Sequence, residues 1–196
     1  RNRGKDIDVY RLCEIFLELE RQGAANINLV TGAQFVPHIV EALAMSRARG
    51  LRIPAVYNSG GYETIETLRM LEGHIDIYLP DFKYHDVKLA ERLSHAADYP
   101  EKAEAAVDEM LRQARDAVFD ENGMMTRGVI IRHLVLPGHS DDSLQVLSRL
   151  YHRYGDRIYI SIMNQYTPCG KFPTSPELSR RLTTYEYDKV VDFARS

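Results

Sequence analysis

The sequence contains no tryptophan and only two cysteines among its 196 residues. Cys13 and Cys169 lie far apart, so they form neither a disulfide framework nor a spacing typical of metal sites. No apolar run approaches the roughly 20 residues that cross a bilayer, and no secretory leader opens the chain, so we expect a cytoplasmic protein without a membrane partner. A net charge of -3 provides no basic excess for binding nucleic acid.

The length and composition are those of a single globular domain. Hydrophobic residues make up 44% of the chain and charged residues 27%, both ordinary fractions. We therefore predict one domain over residues 1–196. The chain opens abruptly into an amphipathic helix that Asp8 is placed to cap.

Short apolar runs alternate with segments that repeat apolar residues at helical spacing. We predict strands near residues 27–31, 54–58, 75–79, 129–136 and 158–163. These runs are apolar throughout instead of alternating with polar residues, which predicts a parallel sheet covered by helices. Asn122-Gly123 predicts a two-residue hairpin turn between residues 117–119 and 124–126.

The residues that follow the predicted strands are unusually polar. Parallel sheets of this kind bind ligands at the carboxyl ends of their strands. Arg132 can bind a carboxylate with two hydrogen bonds, and Asp81 can accept from an amine or a hydroxyl. Together the set suits a zwitterionic ligand that carries a ribose. The candidate residues are Thr31, Asn58, Ser59, Asp81, Lys83, Arg132, Gln165 and Tyr166.

Other interpretations of the same residues stay open. Asp81 and Lys83 could form a structural ion pair, and Asn58-Ser59-Gly60-Gly61 could be only a turn. Lys83 could also be the Schiff-base lysine of an aldolase-like enzyme. The histidines lack zinc-binding spacings, and most are expected at the surface.

Five blocks in the same order carry a family likeness. Asn58-Ser59-Gly60-Gly61-Tyr62 lies in one of them and Asp81-Phe82-Lys83-Tyr84 in another. The chain resembles radical S-adenosylmethionine proteins related to pyruvate formate-lyase activating enzyme, from about residue 8 to residue 195. The blocks are residues 26–31, 54–62, 76–84, 132–139 and 160–168.

The resemblance implies an α/β fold: a partial (βα)6 TIM-like barrel, with an open parallel sheet, outer helices and an incomplete first βα unit. It implies a radical oxidoreductase that binds S-adenosylmethionine against a 4Fe–4S cluster. In this family the reduced cluster donates an electron, and the resulting 5′-deoxyadenosyl radical abstracts a hydrogen atom. The implied partners are a glycyl-radical enzyme or another protein substrate, and an electron donor such as flavodoxin or ferredoxin.

The resemblance also implies roles for individual residues. Asn58 and Ser59 match the pair that faces the methionine part of the ligand. Asp81 and Lys83 match the Asp-x-Lys that lines the active site and are the catalytic candidates, and Arg132 matches an arginine near the ligand carboxylate or ribose. Thr31 stands where many relatives carry Gly-Gly-Glu, and the glutamate is absent here, so the ligand amine needs backbone carbonyls or another group.

The family's Cys-x-x-x-Cys-x-x-Cys motif is also absent. Three thiolates hold such a cluster, and two distant cysteines cannot replace them. The favoured interpretation is a fragment of a longer protein, because the chain opens without a first strand. The alternative is a cluster-free, non-catalytic barrel that binds a nucleoside-like ligand or a partner protein. In either case we predict that this chain alone is inactive.

Overall fold

One mixed sheet and the helices packed on it form the fold in the computed structural model, which describes residues 5–170 and 174–196. The strands are β1 (Ile27–Val30), β2 (Ala55–Ser59), β3 (Ile77–Pro80), β4 (Val118–Phe119), β5 (Met125–Leu134) and β6 (Tyr159–Met163). The helices are α1 (Val9–Arg21), α2 (Val36–Ala48), α3 (Ile65–Met70), α4 (Val87–Ser94), α5 (Tyr99–Ala114), α6 (Ser140–Tyr154) and α7 (Thr184–Arg195).

The sheet is mostly parallel, as the apolar strands predicted. Its order is β1-β2-β3-β5, and β6 pairs with β5, so these five strands follow one another in chain order. Every pairing among them is parallel. The α/β class and all five predicted strands are therefore confirmed. The remaining strand, β4, lies antiparallel to the start of β5.

The turn between β4 and β5 differs from the prediction. The Asp120 amide donates to the Met124 carbonyl at 2.9 Å, which leaves a three-residue loop, 121–123, instead of the two-residue turn. Gly123 adopts φ +75°, which a three-residue loop of this type requires. The Asp120 carboxylate stabilises the wider turn by accepting from the amides of Asn122 and Met124, each at 2.9 Å.

Helices cover one face of the sheet at several places. Tyr57, Tyr78 and Ile131 are fully buried on that face. From α5, Gln113 hydrogen-bonds the Tyr78 hydroxyl, and from α7 the Tyr187 hydroxyl donates to the Ile162 carbonyl at 3.1 Å. Because successive strand residues face opposite sides, Asn58, Asp81 and Arg132 belong to the other face. This sidedness separates the structural core from the candidate site.

The first helix packs beside α2. Asp8 caps α1 as predicted, because its carboxylate accepts from the Arg11 amide at 2.7 Å. Cys13 and Phe16 are buried, and the Ser46 hydroxyl of α2 lies 3.5 Å from the Cys13 carbonyl. The prediction that Cys13 belongs to the core is confirmed.

One helix was not predicted from the sequence. The eight-residue α4 was missed, since so short a segment gives little periodicity. It begins at Asp86, whose carboxylate accepts from the Leu89 amide at 2.6 Å.

Among the residues that the structure describes, no helix is both long and apolar enough to span a membrane.

Candidate functional site

Asp81 lies between two cations at the carboxyl ends of β3 and β5. Its carboxylate is 2.6 Å from Arg132 Nη2 and 3.4 Å from Lys83 Nζ. Asp81 and Arg132 are also bridge partners in the sheet, so the backbone itself holds the two side chains next to each other. We call these three residues the charged cluster.

The charged cluster has hydrogen-bonding capacity left over. Asp81 Oδ1 and Arg132 Nε are buried, and neither has a hydrogen-bond partner among the described residues. The contact at Oδ1 is thus an ion pair without the alignment of a hydrogen bond. One carboxylate faces two cations, so the cluster has one excess positive charge. An incoming carboxylate would complete this charge balance, and a ligand hydroxyl or amine could use Oδ1.

The loop after β2 approaches the same cluster. Lys83 Nζ donates to the Gly60 carbonyl at 3.4 Å, and the Asp81 amide donates to the Ser59 carbonyl at 3.0 Å. Gly61 adopts φ +75°, and a Cβ atom there would lie 2.0 Å from the Asp81 carbonyl oxygen. Only glycine fits this approach, so the two strand ends meet because Gly61 has no side chain.

Asn58 and Ser59 have different positions. Asn58 is buried on the same side of the sheet as Asp81. Ser59 is the next residue and belongs to the helix-covered side. Its hydroxyl accepts from the Gly61 amide at 3.4 Å, so it shapes the turn. Asn58 and Ser59 therefore lie on opposite sides of the sheet, and the expectation that both side chains face one ligand stays a prediction.

Gln165 and Tyr166 follow β6 and bond to other parts of the described chain. Gln165 is exposed just beyond β6, and its amide lies 3.7 Å from the Met163 sulfur. The Tyr166 hydroxyl donates to the Leu178 carbonyl at 2.7 Å, so it anchors the segment before α7. Within the described part of the chain, neither residue forms a hydrogen bond or ion pair with the cluster. Their convergence with it stays a prediction.

Thr31 directly follows β1, the strand at one end of the sheet. Its φ of +53° is unusual for a β-branched residue and indicates a constrained turn. The Thr31 amide donates to the Asn58 carbonyl at 2.9 Å, so its backbone continues the pairing with β2. Thr31 lines a groove of about 650 Å³ together with Val30 and Phe35. Thr31 is therefore at one side of the sheet, and the charged cluster is near its middle.

Sequence reasoning missed two buried residues that support the site. The Tyr99 hydroxyl of α5 donates toward the carbonyls of Gly60 and Asp81, at 2.8 and 2.9 Å. His133 follows Arg132 but points to the helix side, where Nδ1 donates to the Phe82 carbonyl at 2.7 Å. Its Nε2 lies 2.8 Å from the Ser143 hydroxyl. Alternation along the strand could have indicated that His133 is buried, since Arg132 was assigned to the ligand side.

Burial affects the titration of His133. Desolvation lowers the pKa of this imidazole below its ordinary value, although the Phe82 carbonyl favours the protonated form. The neutral ring suits the observed contacts, because one nitrogen donates to a carbonyl and the other accepts from a hydroxyl. The structure assigns His133 to the link between β5, α6 and the Phe82 backbone.

The described residues do not fit an iron–sulfur cluster. Cys13 is buried in α1, and Cys169 is exposed in the loop after β6. In residues 5–170 and 174–196, no group of three or more His, Cys, Asp or Glu side chains is placed to hold a metal ion. Residues of this chain thus do not supply the three thiolates of such a cluster.

Comparison with known proteins found a relative of similar sequence. The chain is 31% identical over 175 residues to an uncharacterized protein of Methanocaldococcus jannaschii. The match covers 89% of this chain and 47% of the relative, so the chain spans about half the length of the curated protein it matches. No family model matches the sequence.

Proposed function

We propose that the protein is a radical S-adenosylmethionine oxidoreductase resembling pyruvate formate-lyase activating enzyme, and that this chain supplies its ligand-binding sheet. The charged cluster carries the proposal. It joins Asp81, Lys83 and Arg132 at the carboxyl ends of adjacent parallel strands, where ligands of α/β proteins bind. The same three residues carry part of the sequence resemblance.

The charged cluster has groups that can bind the carboxylate, the amine and the ribose hydroxyls of S-adenosylmethionine. Arg132 and Lys83 would bind the carboxylate, since together they exceed the charge of Asp81 by one. Asp81 Oδ1, which has no hydrogen-bond partner among the described residues, would accept from the amine or a ribose hydroxyl. Gly60 and Gly61 keep side chains away from this approach. When bound, S-adenosylmethionine supplies the sulfonium group from which the family forms its radical.

The proposed fold is a partial (βα)6 barrel with an incomplete first βα unit. Two observations support it. The parallel strands follow chain order without a reversal, and a doubly wound sheet would require one. The outer edge of β1 has no strand partner among the described residues, and α1 precedes β1 without a strand of its own. A preceding strand beside β1 would complete a right-handed βα crossover.

The proposal places the ligands of the 4Fe–4S cluster outside residues 1–196, because the described residues do not fit that iron–sulfur cluster. The relative from Methanocaldococcus jannaschii is about twice as long as its matched region, which leaves room for such a segment. The proposal extends to cytoplasmic partners: a glycyl-radical enzyme or another protein substrate, and flavodoxin or ferredoxin as electron donor.

The aldolase-like alternative receives less support. A Schiff-base lysine attacks a carbonyl as a neutral amine. Lys83 Nζ lies 3.4 Å from the Asp81 carboxylate and 3.4 Å from the Gly60 carbonyl, a setting that suits an ammonium. We therefore assign Lys83 to ligand binding.

The test uses the product of the complete gene, purified and reconstituted with iron and sulfide without oxygen. With S-adenosylmethionine and dithionite, the expected product is 5′-deoxyadenosine, detected by mass spectrometry. The Asp81→Ala protein is tested beside the wild type, and its yield of 5′-deoxyadenosine should fall at least tenfold. A complete protein that binds the ligand but yields no 5′-deoxyadenosine would favour the non-catalytic barrel, and one that binds nothing would overturn the proposal.

A further inference from the structure

Tyr99 packs against three other aromatic rings near the charged cluster. Its ring stacks on Tyr62, with centroids 5.8 Å apart and planes 15° apart. Tyr84 contacts it edge-on at 5.5 Å, and Phe82 does so at 6.5 Å. Only 3% of Tyr99 is exposed, so its hydroxyl has a fixed position within the fold.

The hydroxyl joins backbone groups from both strand ends of the site. It lies 2.8 Å from the Gly60 carbonyl and 2.9 Å from the Asp81 carbonyl, and it accepts from the Lys83 amide at 3.2 Å. A hydroxyl has one proton, so the two carbonyls share a single donor. Gly60 is the carbonyl that Lys83 Nζ also contacts, at 3.4 Å. One buried oxygen thus connects the Gly60 carbonyl after β2 with the backbone of Asp81 and Lys83.

Burial keeps this hydroxyl in its donor form. Desolvation raises the pKa of Tyr99 well above its ordinary range, and the nearby Asp81 carboxylate acts in the same direction. The phenol is therefore protonated at neutral pH and can donate to one of the two carbonyls.

We propose that Tyr99 is a positioning residue for the ligand site, because its hydroxyl fixes the backbone from which Asp81 and Lys83 extend. The role in binding rests on the proposed function, and the role in holding the two loops does not. Removing the hydroxyl takes away the single donor that the two carbonyls share and the acceptor of the Lys83 amide. The charged side chains then sample more positions, and the ligand loses affinity through the entropy of ordering them.

The first experiment measures the loops without any ligand. Tyr99→Phe keeps the ring and removes only the hydroxyl, and amide hydrogen exchange reports the Lys83 amide. We expect exchange there to accelerate at least tenfold. Tyr154→Phe is the control, since that hydroxyl also binds protein groups, the Glu104 carbonyl at 3.2 Å and Asp108 Oδ1 at 3.0 Å. Unchanged exchange at Lys83 in Tyr99→Phe would overturn the proposal whatever the ligand is.

The second experiment measures S-adenosylmethionine binding by calorimetry in the complete, reconstituted protein. We expect Tyr99→Phe to weaken binding at least fivefold and Tyr154→Phe to leave it unchanged, although both lower the unfolding midpoint. In an Asp81→Asn background, the Tyr99→Phe effect on affinity should shrink, because the part that acts through the Asp81 carboxylate is lost and only the part that acts through Lys83 remains.

The outcomes separate the two proposals. Accelerated exchange together with wild-type affinity would reduce Tyr99 to a purely structural residue. A wild-type protein that binds no S-adenosylmethionine would overturn the proposed function and the binding role of Tyr99, and the exchange result alone would then decide its role in the loops.

Discussion

The Asp81 carboxylate contacts the Arg132 guanidinium at 2.6 Å, across two neighbouring parallel strands. These residues are 51 positions apart in the sequence, yet they are bridge partners in the sheet. Only one quarter of the Arg132 side chain and one fifth of the Asp81 side chain are exposed. The pair is therefore too enclosed for an ordinary surface ion pair, which is worth only about 0–1 kcal/mol.

The first prediction tests this pair as a ligand site. Asp81→Ala and Arg132→Ala should each weaken S-adenosylmethionine binding to the complete protein by about 10- to 100-fold, since each removes a charge-assisted contact of about 1.5–3 kcal/mol. Arg153→Ala removes ion pairs with Asp108 and Glu104 instead, and is the control. Calorimetry gives the affinities, and circular dichroism verifies the fold. Wild-type affinity in both site variants would exclude the pair from binding.

The second prediction concerns pH and His133. Burial lowers the pKa of His133 in the folded protein, whereas in the unfolded chain it has the ordinary value of about 6.5. Between these two pKa values the imidazole is protonated in the unfolded chain and neutral in the folded protein. The contribution of His133 to stability is complete above about pH 6.5 and declines as the pH falls. His133→Gln should remove this part of the pH dependence, while costing about 1–3 kcal/mol at pH 7.

The measurement for His133 is urea unfolding at pH 7 and pH 5.5. His152→Gln is the matched control, because His152 is exposed on α6. An equal decline of the free energy of unfolding in wild type and in His133→Gln would contradict the prediction.

The third prediction concerns the glycine at which the two strand ends meet. Gly61→Ala would place a Cβ atom 2.0 Å from the Asp81 carbonyl oxygen at φ +75°. Gly73 has φ +80° and open space around it, so Gly73→Ala shows the cost of the backbone conformation alone, about 1–2 kcal/mol. We expect Gly61→Ala to lower the free energy of unfolding by at least 2 kcal/mol more. If urea titrations show the same loss in the free energy of unfolding for both variants, the backbone at Gly61 does not need to lie so close to the Asp81 carbonyl.

The fourth prediction concerns the two thiols of residues 1–196. A thiol reagent should label Cys169 at once and Cys13 only after unfolding, because Cys169 is exposed and Cys13 is buried. Cys169→Ser should abolish the fast labelling.

Residues 1–196 should also not reconstitute a 4Fe–4S cluster, since the chain has two cysteines and three thiolates are needed. Stoichiometric iron and sulfide with broad visible absorption would contradict this expectation.

The sequence by itself determined the elements and their class. Apolar runs without alternation predicted parallel strands, and the five strands lie where those runs are. The Asp8 cap and the buried Cys13 were also predictable, because helix signals are local. The short α4 and the three-residue hairpin loop were not, since eight residues give little periodicity and the Asp120 carboxylate selects the turn.

Only the tertiary structure decided which polar residues meet. Asp81, Lys83 and Arg132 come together because β3 and β5 are neighbours, and Ser59 separates from Asn58 because adjacent strand residues face opposite sides. Tyr99 is an ordinary helix residue in the sequence, and it reaches two strand ends only when α5 packs on the sheet. Local patterns fix the elements through short-range geometry, whereas the site depends on contacts between distant segments, which the packing of the core determines.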